Sequence, residues 1–256
     1  MRRLAVLVLL IGCGEDSAAT TDASATSDDA GDAVPDAAGP CPAGMAHITA
    51  TSGAFCIDRH EGALEERASD GTWSPASPFL TVGTRTVRAV PAAGITPQGY
   101  ISGVEAKAAC AASGKHLCTS AEWLAACRGS ANNVYPYGAT HVAGACNDAY
   151  SGHPVVNYFG TSNGVFDSQH MNDPGINQQP DSLAKGGAFT QCTTPDGVFD
   201  MHGNLHEWID DAAGTFRGGF YADASLNGPG CTYATTAHAF SYHDYSTGFR
   251  CCAGAN

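Results

Sequence analysis

The sequence predicts an irregular, loop-rich α+β domain stapled by disulfides. Three observations carry that reading. Of 11 cysteines in 256 residues, ten lie from Cys41 to Cys252, and an even number in an exported domain implies a covalent framework. The chain holds 31 glycines, and most of its segments are short, turn-bounded and weakly periodic. Only two segments carry the spacing and end signals of helices. Each bridge adds roughly 2–4 kcal/mol by restricting the unfolded chain, which a domain with so little regular structure needs. Spacing alone does not give the connectivity.

The chain opens "MRRLAVLVLLIGCGED", two arginines ahead of an apolar run from Leu4 to Ile11. That run is shorter than the roughly 20 residues a bilayer span requires and reads as a secretory signal. "LIGC" resembles a bacterial lipobox, which implies cleavage after residue 12 and lipid on Cys13. With Gly14 next, the same resemblance implies an outer-membrane destination. Residues 14–40 are Ala, Thr, Ser, Asp and Gly, with seven acids and no Lys or Arg. Such a stretch cannot bury enough apolar surface to offset its ordering entropy, so it is expected to be a disordered tether. It carries seven of the thirteen net negative charges, so the acidity says little about the partner of the folded part. No basic cluster points to nucleic acid. Residues 41–256 show no second linker and no repeat, and are read as one domain.

Within that domain, "GVEAKAACAASGKHL" spaces Ala106, Ala109, Cys110 and Leu117 for one helix face, with Gly114 placed as a C-terminal cap. "SAEWLAACRG" gives a second helix, with Ser120 as N-cap and Arg128-Gly129 as its stop. The densest stretch is "DGVFDMHGNLHEW", Asp196 to Trp208. His202 and His206 stand four apart, the spacing of a zinc pair on a helix. Gly203-Asn204 between them argues against a helix and no third ligand is evident, so they are read as packed or surface histidines.

Several stretches together resemble one family. "GKHLCTSAEWLAACRG" is similar to Gly-Lys-Arg-Leu-Pro-Thr-Glu-Ala-Glu-Trp of the formylglycine-generating enzymes, or sulfatase-modifying factors. "YPYG", "GVFDMHGNLHEW", "FRGGFY" and "GFRCC" resemble further motifs of that family, and "FCIDRHEGA" its opening strand and glutamate. They occur in family order and cover nearly all of residues 41–252. The resemblance implies a complex α+β fold related to C-type lectins. It also implies bridges Cys110–Cys251 and Cys127–Cys231. Cys118, which replaces the family proline, is then left to pair with the extra Cys252. Cys41–Cys56 and Cys146–Cys192 remain as local closures.

The resemblance further implies calcium. One site would use the side chains of Asp200 and Glu207 with the backbone oxygens of Gly203 and Leu205, a hard-oxygen set of the kind calcium takes. A second would begin at Asn147 and Asp148 and end at Asn163 and Val165. The family's oxidase chemistry needs two cysteines, five apart, holding copper(I) through soft thiolates. Counting from Arg217 puts Asp223 and Gly228 in their places; counting back from Cys231 puts Tyr221 and Leu226 there. No residue from Phe220 to Gly230 is cysteine, so copper-dependent cysteine oxidation is not expected.

Two function classes follow. The first is a binding or structural module for a peptide, glycan or protein ligand, with Tyr221, Tyr233, Phe240, Tyr242 and Tyr245 near the former substrate cleft or in the core. The second is an enzyme with altered, metal-dependent oxidase chemistry. There Asp223, His238, His243 and Asp244 would supply a metal centre or an acid–base pair.

Overall fold

In the structure, a computed structural model, residues 39–255 are described. The readings of the signal, of Cys13 and of nearly all the tether lie outside them.

The first sheet starts as the sequence alternates. In β1 (Met45–Ala50), Ala46 and Ile48 are buried while His47 and Thr49 face solvent, the period of two that a half-buried strand requires. It pairs antiparallel with β2 (Gly53–Asp58) through a tight turn. A second sheet begins at β3 (Gly62–Arg67), flanked antiparallel by β4 (Trp73–Pro75) and β5 (Val87–Pro91). A side chain at Gly62 would strike the Phe249 ring, so this crossing needs glycine.

α1 (Gly103–Ala112) begins at a capping box: the Ser102 hydroxyl accepts from the Glu105 amide, and the Glu105 carboxylate accepts from the Ser102 amide. Gly114 has φ +72°, so the chain leaves the helix there. Leu117 is therefore not on the helix face the spacing suggested; it lies in β6 (His116–Leu117). α2 (Ser120–Arg128) is capped by Thr119, not Ser120, because Thr119 and Glu122 close a second capping box. Ser120 is the first helical residue. Its stop at Gly129 is as expected. Two shorter helices follow, α3 (Pro154–Phe159) and α4 (Ser168–Met171), neither evident in the periodicity.

The remaining strands are brief. β7 (His206–Trp208) pairs with β8 (Phe216–Arg217), which pairs with β9 (Ala234–Thr235). On its other side β7 runs parallel to β10 (Thr247–Phe249). β11 (Cys251–Gly254) inserts between β2 and β6 to complete the first sheet. One core cluster packs Ile48, Ile57, Trp123, Met201 and Ile209. A second packs Ala106, Ala109, Leu117, Trp208 and Phe249. A third gathers Tyr100, Val155, Val165, Ile176, Tyr221 and Tyr245.

Five bridges close the domain: Cys41–Cys56, Cys110–Cys251, Cys118–Cys252, Cys127–Cys231 and Cys146–Cys192. Cys110–Cys251 and Cys127–Cys231 are the pairs the resemblance implies, and the other three are those it leaves over. Cys251 and Cys252 serve different clusters, the second and the first, because neighbouring strand residues point to opposite faces.

Candidate functional site

β7 and β8 bring His206 and Phe216 to one wall of a cleft of about 630 Å3. After β8 the chain must turn at once. Gly219, at φ +73°, permits it, since a side chain there would collide with Ala224. Phe220 and Asp223 then exchange backbone hydrogen bonds of 2.8 and 3.0 Å, which swings Phe220, Asp223 and Leu226 onto the cleft. Phe166, His238, Tyr242, Asp244, Tyr245 and Ser246 line it as well. Phe166 and Leu226 are exposed.

A chain of polar contacts runs along this cleft. His206 Nε2 lies 3.1 Å from the Tyr233 hydroxyl, which donates to Asp223 Oδ2 at 3.1 Å. His206 Nδ1 lies 3.3 Å from Ser246 Oγ, which donates to Asp244 Oδ1 at 2.7 Å. The Tyr242 hydroxyl donates to Asp244 Oδ2 at 2.7 Å. Burial, assisted by His238, pushes the His206 imidazole down to about 3, so it is neutral at physiological pH. Burial pushes the Tyr233 phenol up to about 12, and Tyr242 is raised by burial and by Asp244. The arrangement is a neutral imidazole between two hydroxyls, each leaning on a carboxylate. Phe216 and Phe220 pack on that imidazole at centroid distances of 4.4 and 4.9 Å.

The structure sorts the residues singled out in the sequence. Asp223, His238 and Asp244 line the cleft, whereas His243 Nδ1 meets the Asn172 amide at 2.8 Å, outside that lining. Tyr242 and Tyr245 line it as well. Tyr221 is fully buried against Asn177, and Phe240 packs over Gly103 and Trp208. Of the positions that counting puts at the cysteine pair, Asp223 and Leu226 line the cleft. Among the described residues every cysteine is in a bridge, so the cleft offers no thiolate.

Asp200 and Glu207 are both buried. Glu207 is committed to protein donors: Arg250 Nη2 at 2.7 Å and Nε at 3.0 Å, and Trp123 Nε1 at 2.7 Å. Arg250 also donates to the carbonyls of Asp58 and Phe199. Asp200 accepts from the Gly187 amide at 2.7 Å, and burial pushes its carboxyl up to about 6. Glu61, the glutamate of the opening strand motif, accepts from Asn204 and from the Leu205 amide. Burial and the charges of Asp200 and Glu207 raise it. Gly203, at φ +78°, passes so close to the Asn147 carbonyl that only glycine fits. As a calcium cage the set of Asp200, Gly203, Leu205 and Glu207 fits poorly, because an ion on Glu207 would have to displace Arg250.

The residues of the second set have partners of their own. Asn147 donates to the Ser182 carbonyl and to Asn204 Oδ1, both at 2.8 Å. Asp148 Oδ2 takes His141 and His202, at 2.7 and 3.1 Å. Asn163 is exposed, and Val165 packs into the third core cluster. Neither lines the groove of about 500 Å3 that Asn147 and Asp148 line. Sequence reasoning passed over His141 and found no third partner for His202; its signal was the seven-residue step from His141 to Asp148 within a bridged loop.

A family model described as the sulfatase-modifying factor enzyme 1-like domain matches residues 47–254. The chain belongs to that family. No curated protein matches it. As a sulfatase-modifying factor enzyme 1-like domain, it keeps the α+β, disulfide-stapled fold. Its cleft carries the His206 contact chain and an aromatic lining.

Proposed function

We propose that the chain is an exported, lipid-anchored envelope protein whose sulfatase-modifying-factor domain binds a ligand and does not carry out the family's cysteine oxidation. One observation carries this reading. The cleft that Asp223 and Leu226 line has no thiolate, because every cysteine among the described residues is bridged. Neither Asp223 with Gly228 nor Tyr221 with Leu226 supplies the thiolates that a soft copper(I) ion takes. Both carboxylates of the cleft, Asp223 and Asp244, already accept from hydroxyl groups, so they are spent on rigidity. What faces outward is aromatic and apolar, the surface that a peptide side chain or a sugar face covers.

The alternative is altered, metal-dependent oxidase chemistry. It draws support from Asp223, His238 and Asp244 sharing the cleft. Against it, both carboxylates already accept from tyrosine hydroxyls, and His238 is stacked on Tyr242 at 3.8 Å.

The test has two arms. Protein loaded with copper(I) and given a cysteine-bearing sulfatase peptide and oxygen should yield no formylglycine by mass spectrometry. Turnover above background would sink the reading. On peptide and glycan arrays, hits should weaken about tenfold, or about 1.4 kcal/mol, in Leu226→Ala and Phe166→Ala, whose exposed side chains leave the fold intact. Hits indifferent to both would place the binding surface elsewhere.

A further inference from the structure

Away from the cleft, three side chains converge from two stapled loops. Nε2 of His141 and Nε2 of His202 approach the same oxygen, Asp148 Oδ2, at 2.7 and 3.1 Å. One ligand atom from each of the three lies within 4.8 Å of the others. We propose that His141, Asp148 and His202 form a binding site for one divalent transition-metal ion of the zinc class, held by two imidazole nitrogens and a carboxylate.

Four observations support it. The first is spacing. Zinc bonds of about 2.0–2.1 Å in a tetrahedron put donor atoms roughly 3.3 Å apart. The two nitrogens sit 2.7 and 3.1 Å from the carboxylate oxygen, and all three donors lie within 4.8 Å of one another, so shifts on the order of 1 Å would admit the ion.

The second is unmet capacity. Asp148 Oδ1 and His202 Nδ1 are buried and have no hydrogen-bond partner, in side chains only 5% and 3% exposed. A buried polar atom left unpaired costs about 1–3 kcal/mol. A second carboxylate oxygen at the site lets the ion be held by one or both. Because Nδ1 of His202 bonds to nothing, the ring proton can move there while the ion replaces the Nε2–H bond to Asp148 and takes Nε2 as its ligand.

The third is rigidity. Asn204, two residues after His202, is tied to Asn147, the neighbour of Asp148, by backbone and side-chain bonds of 2.8 Å. The bridge Cys146–Cys192 closes the same pair of loops, with Cys192 Sγ 3.5 Å from the His202 carbonyl oxygen. Tyr135 packs on both imidazoles, at 5.5 and 5.2 Å. Such support keeps ligands in place before the ion arrives.

The fourth is access. The His141 side chain is 45% exposed, so the ion has an entry path, and water or a ligand group can complete its shell. Two imidazoles suit zinc, copper or nickel and do not suit a hard oxygen-seeking cation. This set therefore takes Asp148 away from calcium.

The test uses untagged protein, stripped with a chelator and desalted, then titrated with zinc(II) against a chromophoric competitor. One zinc per chain is expected. Cobalt(II) should enter the same site and give the strong visible absorption of a four-coordinate ion. His141→Ala should weaken zinc at least tenfold and abolish the cobalt band, with an unchanged melting temperature in chelator because His141 is exposed. Asp148→Asn, which keeps an acceptor for the imidazoles, is the second variant and should do the same. His243→Ala, outside the cluster, should bind as the parent does. No stoichiometric zinc, or zinc held equally well by the parent, His141→Ala and Asp148→Asn, overturns the proposal.

Discussion

Arg250 is a guanidinium with no exposed surface, and its three partners define it. It ties the carbonyls of Asp58 and Phe199 to the Glu207 carboxylate. Trp123 reaches the same carboxylate from α2. A pair of this kind gains little over well-packed apolar residues, but breaking it strands a charge and costs roughly 3–5 kcal/mol. Glu207→Ala is therefore expected to lose about that much stability in denaturant melts, equally with calcium and with a chelator. A loss much larger in calcium would show that Glu207 holds the ion. The two roles make opposite demands on the residue: an ion pair needs both carboxylate oxygens turned to nitrogen, whereas a calcium ligand needs at least one turned away.

At the scale of elements, α2 matters because it carries Trp123 to that carboxylate. The helix starts at the reciprocal Thr119–Glu122 box. Thr119 is exposed, so Thr119→Ala opens no cavity and isolates the cap. The expected loss is about 1 kcal/mol, read as a lowered melting temperature, with Thr119→Ser close to the parent. Equal melting of all three would show that the cap contributes nothing. The same helices show what a sequence discloses. Both long helices were legible because periodicity and end signals are local. Leu117 was misplaced because its spacing fits a helix, while the left-handed turn at Gly114 had already ended it. α3 and α4 were not legible, since six and four residues hold too little period to read. The strands of two or three residues exist only through their partners, and no local signal announces them. The site followed the same rule. Missing thiols are a local fact and were plain. His202 meets Asp148 across 54 residues, and only the folded loops reveal it.

Taken whole, the described chain is a domain that has no helix long and apolar enough to cross a membrane. In the proposed function, attachment rests on Cys13 alone. Cys13→Ser is expected to move the protein from the membrane fraction to the soluble one, and intact mass should show the lipid lost. A variant that stays with the membrane would sink the tether. If the chain is exported N-terminus first, the bridges have an order. Cys41–Cys56 and Cys146–Cys192 span 15 and 46 residues and can close early. Cys110 and Cys118 must wait 141 and 134 residues for their partners, which arrive side by side on β11. Two idle thiols thus meet two adjacent newcomers, and an oxidant alone could join them either way. The pleat decides: it turns one newcomer to each core. The last strand is thus a clasp between the two cores, holding each by a bridge of its own.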